Sequence, residues 1–252
     1  MSRPAFAPSL AARPLSHFRR SRRAFTLMEL LAVVAIIGIL ATILVPTLSY
    51  ARTAAAKART RTQFSQWAAA FEAFRQEYGS YPQLYPNGSQ HLVNQNATTT
   101  ATAEHLFYDT LTGHRRDPTG TWNTPTTRTP PMPQAQNTRR IQFVAFTDDD
   151  LVTAADVTNG YNTNAQLNFV RDGFHNTSIA VITDSNLDGV INGRDATGGY
   201  PAVTPPGATT PQIKPLTTDL PTTTTGGIHQ GVIFYSAPPG ATIGSDLIMS
   251  WK

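Results

Sequence analysis

The 252-residue sequence contains no cysteine, which excludes disulfide bonds and thiolate metal sites. It also lacks the motifs of common catalytic sites: we find no nucleophile elbow, no phosphate-binding loop and no pair of histidines at zinc-ligand spacing. The histidines beyond the amino-terminal segment are scattered: His91, His105, His114, His175 and His229. The sequence therefore predicts a protein that is not an enzyme.

Excess positive charge is confined to the amino-terminal segment. The whole chain has a formal net charge of +4 and a pI near 9.6, values that are typical of proteins that bind nucleic acid or membrane surfaces. Residues 1–24, however, contain six arginines and no acidic residue, so removing them changes the charge from +4 to −2. We therefore predict no nucleic-acid partner.

The one long apolar run follows directly after these arginines. Glu29 is succeeded by an uncharged and almost wholly apolar segment at 30–45. As a helix that also includes 25–28, this segment would be about 30 Å long, roughly the thickness of the hydrocarbon core of a bilayer. The preceding arginines would keep the amino terminus in the cytoplasm, so we predict a single-pass protein with its carboxyl-terminal domain on the other side.

The order of features around residue 24 is the reverse of an ordinary signal peptide, in which the small-residue cleavage site follows the apolar run. Here Ala24 and Phe25 precede it, so a cut between them would leave the apolar helix as the new amino terminus. The stretch 24–30, AFTLMEL, resembles the prepilin-type cleavage site of type IV pilins and type II secretion pseudopilins. Pro46 extends the likeness, because pilin-like helices commonly carry a proline near this point and a proline there would kink the helix.

This resemblance implies a role for each of these residues. Prepilin peptidase would cut between Ala24 and Phe25, and the new Phe25 amine would be methylated. Glu29 would neutralise the terminal ammonium group of a neighbouring subunit, an attraction that is strong in an apolar helix bundle. The alternative interpretation of Glu29 is a carboxylate near the membrane interface with its head in water.

The resemblance also implies partners and a location. The partners would be copies of the chain, other pilins or pseudopilins, prepilin peptidase and an inner-membrane assembly platform. The protein would begin in the bacterial inner membrane with its domain in the periplasm, and would then enter a pilus or pseudopilus filament.

We predict four segments: a leader at 1–24, a transmembrane and assembly helix at 25–48, an amphipathic helix at 49–80 and an extracytoplasmic domain at 81–252. Apolar residues recur at spacings of three and four in the second helix, at Phe64, Trp67, Ala68, Phe71, Phe74 and Tyr78. Such a stripe is typical of a helix packed on a sheet, and a cofactor-binding row is the other interpretation. Gly79 and Pro82 predict the end of the helix near Tyr78.

The fold class predicted for the domain is α+β and pilin-like, with the long helix packed on a small antiparallel sheet and joined by long loops. We predict strands at 141–146, 167–170, 178–183, 231–235 and 243–251. A short helix is predicted at 103–111, and the segment 197–227, rich in Pro, Thr and Gly, is predicted to be an exposed loop.

The most specific chemistry outside the apolar helix lies at 184–195, which reads DSNLDGVINGRD. Oxygen ligands occupy loop positions one, three and five, a glycine stands at six, a backbone carbonyl is available at seven and a carboxylate closes the loop at twelve. The spacing suits calcium and resembles the loops of EF-hands and dockerins. The predicted ligands are Asp184, Asn186, Asp188, Val190, Asn192 and Asp195. An Asx-rich turn without metal is the alternative interpretation.

Two further stretches carry a partial likeness to pseudopilins. The turn and strand at 171–183 are similar to those that precede the calcium-associated loop of the major type II secretion pseudopilin, and the end of the chain resembles its closing strand. The predicted function is therefore a structural subunit of a type II secretion pseudopilus or a type IV pilus. The alternative is a membrane-tethered, calcium-dependent binding module outside the cytoplasm that does not polymerise.

Overall fold

A computed structural model describes residues 26–84, 90–94, 105–116, 133–195, 199–208 and 212–252 of the chain. The chain divides into two compact units, residues 1–49 and residues 50–252. One helix, α1 (Leu27–Tyr78), contributes to both units. The fold class is α+β, as predicted.

Helix α1 has a defined signal at each end. The hydroxyl of Thr26 accepts a hydrogen bond from the Glu29 amide (3.2 Å), as an N-cap residue does. At the other end, Gly79 adopts a left-handed conformation with φ +78°. Its N–H donates to the carbonyl of Arg75 (2.8 Å), which closes the last turn. The predicted end at Tyr78 is confirmed.

The apolar stripe of α1 in the second unit packs on the sheet. Phe64, Trp67 and Phe71 are almost completely buried. The centroid of each of these rings lies 5.7 Å from the ring centroid of Phe234, with one stacked and two edge-on arrangements. Such geometries are the favoured ones for aromatic pairs. The packing interpretation of the stripe is therefore confirmed.

Within the described residues, the sheet has four antiparallel strands in the order β1 (Gln90–Leu92), β2 (Ile179–Thr183), β3 (Val232–Ser236) and β4 (Ile248–Met249). Strand β2 pairs with β3 along its full length, with Val181 opposite Phe234. Every residue of these two strands is buried. Because successive side chains of a strand point to opposite faces, both faces of the sheet must be covered.

The second face is covered by chain without regular secondary structure. Ile182, Ile233 and Tyr235 belong to a second apolar cluster, in which they are joined by buried residues of the segment 199–220. These covering residues are Tyr200, Val203, Ile213 and Leu220. The prediction that 197–227 is an exposed loop was wrong for these four residues, because they are too irregularly spaced to show a period. The domain therefore has three layers: helix, sheet and an irregular covering layer.

Other predicted elements are shorter than expected or differ in kind. The predicted helix at 103–111 corresponds to α2 (Leu106–Thr112), and two more short helices are α3 (Pro133–Gln136) and α4 (Ala154–Thr158). The segment 141–146 is extended but is not assigned as a strand, and 167–170 is reduced to one bridge between Val170 and Leu151. The closing strand at 243–251 is confined to β4.

We expect Phe234→Ala to destabilise the domain by about 3–5 kcal/mol, because it removes the ring that three helix side chains contact. The measurement is urea unfolding of the full chain followed by near-ultraviolet circular dichroism. Leu216→Ala is the matched control, because Leu216 is 44% exposed, and its loss should stay below about 1 kcal/mol. Equal losses in the two variants would contradict this account of the core.

Candidate assembly helix and calcium loop

The first half of α1 presents apolar side chains to all sides. All side chains described between residues 26 and 49 are exposed. The large apolar ones among them are Leu27, Met28, Leu30, Leu31, Val33, Val34, Ile36, Ile37, Ile39, Leu40, Ile43, Leu44 and Leu48. Among the described helices, α1 alone is long and apolar enough to cross a membrane. A helix that is apolar all round must be covered by lipid or by other protein.

Glu29 lies in the first turn of α1 and is exposed. The unpaired backbone N–H groups at a helix start carry partial positive charge, so a carboxylate is favourable there. Ala24 and Phe25, the predicted cleavage and methylation positions, lie outside the described residues. The pairing of Glu29 with a terminal amine stays a prediction.

Pro46 does not end the helix, because α1 is assigned continuously through this position. A proline has no backbone N–H and disturbs the preceding turn. In the described part next to it, the Thr47 hydroxyl donates to the carbonyl of Leu44 (2.8 Å) and to that of Ile43 (3.2 Å). The Thr47 hydroxyl thus shares its proton between two carbonyls of the turn before the proline, whereas the carbonyl that loses its N–H partner to Pro46 is that of Thr42.

The loop 184–195 follows β2 directly and is folded around its own side chains. Asp184 Oδ2 accepts a hydrogen bond from the Gly189 amide (2.7 Å), and Gly189 has φ +82°. Asn186 Oδ1 accepts from the Asp188 amide (3.1 Å), and Asp188 Oδ1 accepts from the Val190 amide (2.9 Å). The side chains at positions one, three and five are thus oriented by backbone N–H groups of the same loop.

Asp195 connects the end of the loop to its beginning. Its Oδ1 accepts hydrogen bonds from the amide and hydroxyl of Ser185 (both 2.9 Å), and its Oδ2 accepts from the Asn192 amide (3.1 Å). Asp195 and Asn192 are both buried. The predicted ligand positions therefore belong to one closed loop rather than to an extended segment.

The carboxylates of the loop repel one another. Burial raises the pKa of Asp184, the Gly189 N–H opposes that rise, and the charges of Asp195 and Asp188 add to it. Among the described residues, no group of three or more His, Cys, Asp or Glu side chains is arranged as a metal site. A cation in this loop would therefore also need amide and backbone carbonyl oxygens, which are the mixed ligands that calcium accepts.

The turn at 172–176 contains a buried carboxylate that sequence reasoning missed. Asp172 is 1% exposed and accepts hydrogen bonds from the amides of Phe174 (2.8 Å) and Asn176 (2.9 Å). It also accepts one from the Ser236 hydroxyl (2.7 Å), on strand β3. Burial raises the pKa of Asp172 to about 6, although these hydrogen bonds oppose the rise. Its partner Ser236 is remote in the sequence, so no local pattern indicated the contact.

The same turn is attached to α1. The amide of Gly173 donates to the hydroxyl of Thr60 (3.1 Å). A Cβ at position 173 would lie only 2.5 Å from the carbonyl oxygen of Ala56. The turn therefore links the helix to strand β3, and it does so at a place where only glycine fits without a shift of the backbone.

Comparison with known proteins supports the interpretation of the amino-terminal segment. The family model described as the prokaryotic N-terminal methylation motif matches residues 19–45, a range that includes Ala24, Phe25 and Glu29. No curated protein and no solved structure matches the chain. The exposed apolar helix and this motif together support a processed precursor of pilin-like type and fit a membrane anchor. The chain carries the prepilin-type signal of type IV pilins and pseudopilins, which confirms the resemblance.

The motif also has consequences for partners. A prepilin-type signal implies processing by prepilin peptidase and polymerisation with other pilins, and it indicates a structural protein. Together with the apolar helix, it fits an anchor in the inner membrane.

We compare the free energy of unfolding of the wild type with that of Asp172→Asn. The difference should move against the wild type as the pH rises from about 4 to about 6. The folded pKa of Asp172 is about 6 and its ordinary value is 3.8, so the folded state retains a proton that the unfolded state loses. Between pH 5.0 and pH 7.5 the wild type should lose about 1.4 kcal/mol relative to Asp172→Asn, measured by urea unfolding.

Asp149→Asn is the control for this experiment, because the Asp149 side chain is 75% exposed and its loss removes the same charge. Its unfolding free energy should follow that of the wild type at both pH values. Parallel pH profiles for the wild type and Asp172→Asn would contradict the buried state of Asp172.

Proposed function

We propose that this chain is a structural subunit of a type II secretion pseudopilus or a type IV pilus. After cleavage between Ala24 and Phe25, the first half of α1 would be its polymerisation element. The observation that carries the proposal is the apolar surface of this helix, which is exposed on all sides and lies within the matched motif as far as residue 45.

The physical reason for assembly is the area of apolar surface on this helix. In the inner membrane, lipid covers the helix; once the subunit leaves the bilayer, only other protein can do so. Burial of apolar surface is worth about 25 cal/mol per Å², so packing of such helices against copies in a filament core is strongly favourable. A helix with large apolar side chains on only some of its sides would not require such a bundle.

Glu29 gives the bundle a preferred register. The carboxylate lies in the first turn, four residues after Phe25, and a cut before Phe25 would create an ammonium group at the same end of the helix. In an apolar bundle, each of these charges would be unfavourable alone and favourable when paired with its opposite on a neighbour. Axial displacement of a subunit would separate the pair.

The second candidate is a membrane-tethered calcium-dependent module that does not polymerise. The closed loop 184–195 supports this candidate, because a calcium site at the surface is compatible with ligand capture as well as with structural stabilisation. The two candidates differ in their need for Glu29, since a tethered monomer has no neighbouring amine to neutralise.

Glu29→Leu should remove assembly without preventing processing. We expect at least a tenfold loss of sheared filaments, because each Phe25 ammonium would lack its partner, a defect that costs about 3–5 kcal/mol when buried. The measurement is the amount of subunit in the sheared filament fraction, combined with the amino-terminal sequence of the cellular protein. Both are made in cells that contain the prepilin peptidase and the assembly platform.

Glu77→Leu is the matched control, because Glu77 lies near the other end of the same helix, where it pairs with Arg139. It should leave filaments unchanged. Normal filaments in Glu29→Leu would contradict the polymerisation proposal and favour the tethered module, and a mature start other than Phe25 would contradict prepilin processing.

We further propose that the loop 184–195 binds calcium and stabilises the carboxyl-terminal domain. Asp184, Asp188 and Asp195 would supply carboxylate oxygens, Asn186 and Asn192 would supply amide oxygens, and Val190 would supply its carbonyl. Support comes from the closed form of the loop and from the way its own N–H groups orient the side chains at positions one, three and five. A divalent cation would also offset the mutual repulsion of the carboxylates.

Asp188→Ala should lower the thermal stability of the domain mainly when calcium is present. At calcium concentrations of 100 times the dissociation constant, the wild type should gain about 2.7 kcal/mol over its stability in chelator, and the variant should lose most of that gain. The measurement is thermal unfolding in calcium and in EDTA. Asp149→Ala, which changes an exposed aspartate outside the loop, should respond to calcium as the wild type does. Equal losses for Asp188→Ala in calcium and in EDTA would contradict calcium binding.

A further inference from the structure

A polar cavity lies at the edge of the carboxyl-terminal domain, apart from the calcium loop. Its volume is about 350 Å³, within the range of about 300–1,000 Å³ that is usual for small-molecule sites. Three segments form its described walls, at 160–166, 175–178 and 204–208. Amides, hydroxyls and two aromatic rings line these walls, and no Asp, Glu, Lys or Arg is among the lining residues.

One wall is an exposed aromatic ring that is held in a fixed orientation. Tyr161 is 57% exposed, and its ring is stacked on that of His175 with 4.3 Å between centroids and 10° between planes. His175 is in turn held by Asp156, whose Oδ1 lies 2.8 Å from Nδ1 of the imidazole. Since His175 covers one face of the Tyr161 ring, the exposed surface of Tyr161 consists of the other ring face and the edge. This surface is flat, apolar and pre-oriented.

A buried hydrogen-bond acceptor lies beside this ring. Asn162 is 8% exposed, and its Nδ2 donates to the carbonyl of His175 (3.1 Å). Its Oδ1 is buried and has no hydrogen-bond partner among the described residues. An unsatisfied buried acceptor costs about 1–3 kcal/mol, so Asn162 is held at the wall of the cavity by its Nδ2 contact alone.

The other polar groups of the wall are already oriented. Gln166 Oε1 accepts a hydrogen bond from the Thr163 amide (2.9 Å), and its Nε2 donates to the Thr177 hydroxyl (2.9 Å). Amide and hydroxyl groups that are fixed in this way require little ordering when a ligand binds.

The charges near the cavity compensate one another. Asp156 and Arg171 form a buried ion pair with 2.7 Å between Oδ1 and Nη1, and neither lines the cavity. Burial and the charge of Arg171 lower the pKa of His175, and the charge of Asp156 opposes that effect. The cavity therefore offers no charge to an anionic or cationic ligand.

We propose that this cavity binds a neutral saccharide, with one apolar face of a pyranose ring on Tyr161 and its hydroxyl groups toward the amide and hydroxyl of Gln166 and Thr177. A pyranose combines a C–H face, which suits an aromatic surface, with hydroxyl groups that donate and accept hydrogen bonds. A charged ligand would lose hydration without gaining an opposite charge, and a purely apolar ligand would displace water from the amides and hydroxyls of the wall without replacing its hydrogen bonds. The proposal does not rest on polymerisation.

The test uses the full chain in lipid nanodiscs at pH 7.5, because maltoside detergents carry sugars of their own. The probes are methyl α-D-glucopyranoside, methyl β-D-galactopyranoside and N-acetylglucosamine, with N-acetylneuraminic acid and glucosamine as charged comparators. Binding is measured by saturation-transfer difference NMR and by titration. We expect transfer to at least one neutral probe, strongest at the protons of one ring face, and weaker or no transfer to the charged probes.

Four variants connect binding to the cavity. Tyr161→Ala should weaken binding at least tenfold, whereas Tyr161→Phe, which keeps the ring, should stay within about threefold of the wild type. Ala208→Trp, which fills the cavity from the opposite wall, should abolish binding. Tyr50→Ala is the matched control, because Tyr50 is exposed and does not line the cavity.

Three results would overturn the proposal. These are the absence of transfer to every neutral probe, stronger binding of a charged comparator, and unchanged affinity in Tyr161→Ala. Thermal unfolding of each variant shows whether the variant is folded. If Ala208→Trp does not fold, Tyr161→Ala still tests the proposal, because Tyr161 is exposed and its replacement should not disturb the fold.

Discussion

The carboxyl-terminal domain depends on the contact between the aromatic stripe of α1 and Phe234 of strand β3. With no cysteine in the chain, packing is the main source of its stability. This contact fixes the helix on the sheet, and the turn at 172–176 then connects the two through Thr60 and Ser236. Strand β2 begins just after that turn and leads directly into the loop 184–195. The helix therefore packs on the strand that leads into the predicted calcium ligands.

Sequence reasoning succeeded where the determining interactions are local. The extent of α1, its end at Gly79 and its buried stripe follow from helical periodicity and from the conformational freedom of glycine. The two central strands were predicted within one residue, because each is a short apolar run between turn residues. The side-chain positions in loop 184–195 also depend on neighbours only a few residues away. A twelve-residue pattern can therefore indicate the form of such a loop.

The rest of the fold depends on partners that are far apart in the sequence. Strand β1 has only three residues and no recognisable alternation, so its pairing with β2 left no local signal. The apolar residues of the covering layer follow no helical or strand period. The buried role of Asp172 requires Ser236, and the polar cavity is formed from three separate segments. None of these features is visible until the chain has folded.

The covering layer over the second face of the sheet differs from the helix in how it is held. In the described part of 199–228, the backbone bridges are isolated, Val203 with Ile213 and Ile228 with Ile191, while the side chains fill the apolar cluster beneath them. Such a layer is held to the sheet by buried side chains and not by a continuous backbone ladder. Its backbone also lies close to Gly193 and Gly244, where an added Cβ would meet the carbonyl oxygens of Thr222 (2.0 Å) and Lys214 (2.4 Å). A substitution in this layer therefore acts on side-chain packing and close contacts, and it leaves the backbone hydrogen bonds between β2 and β3 in place.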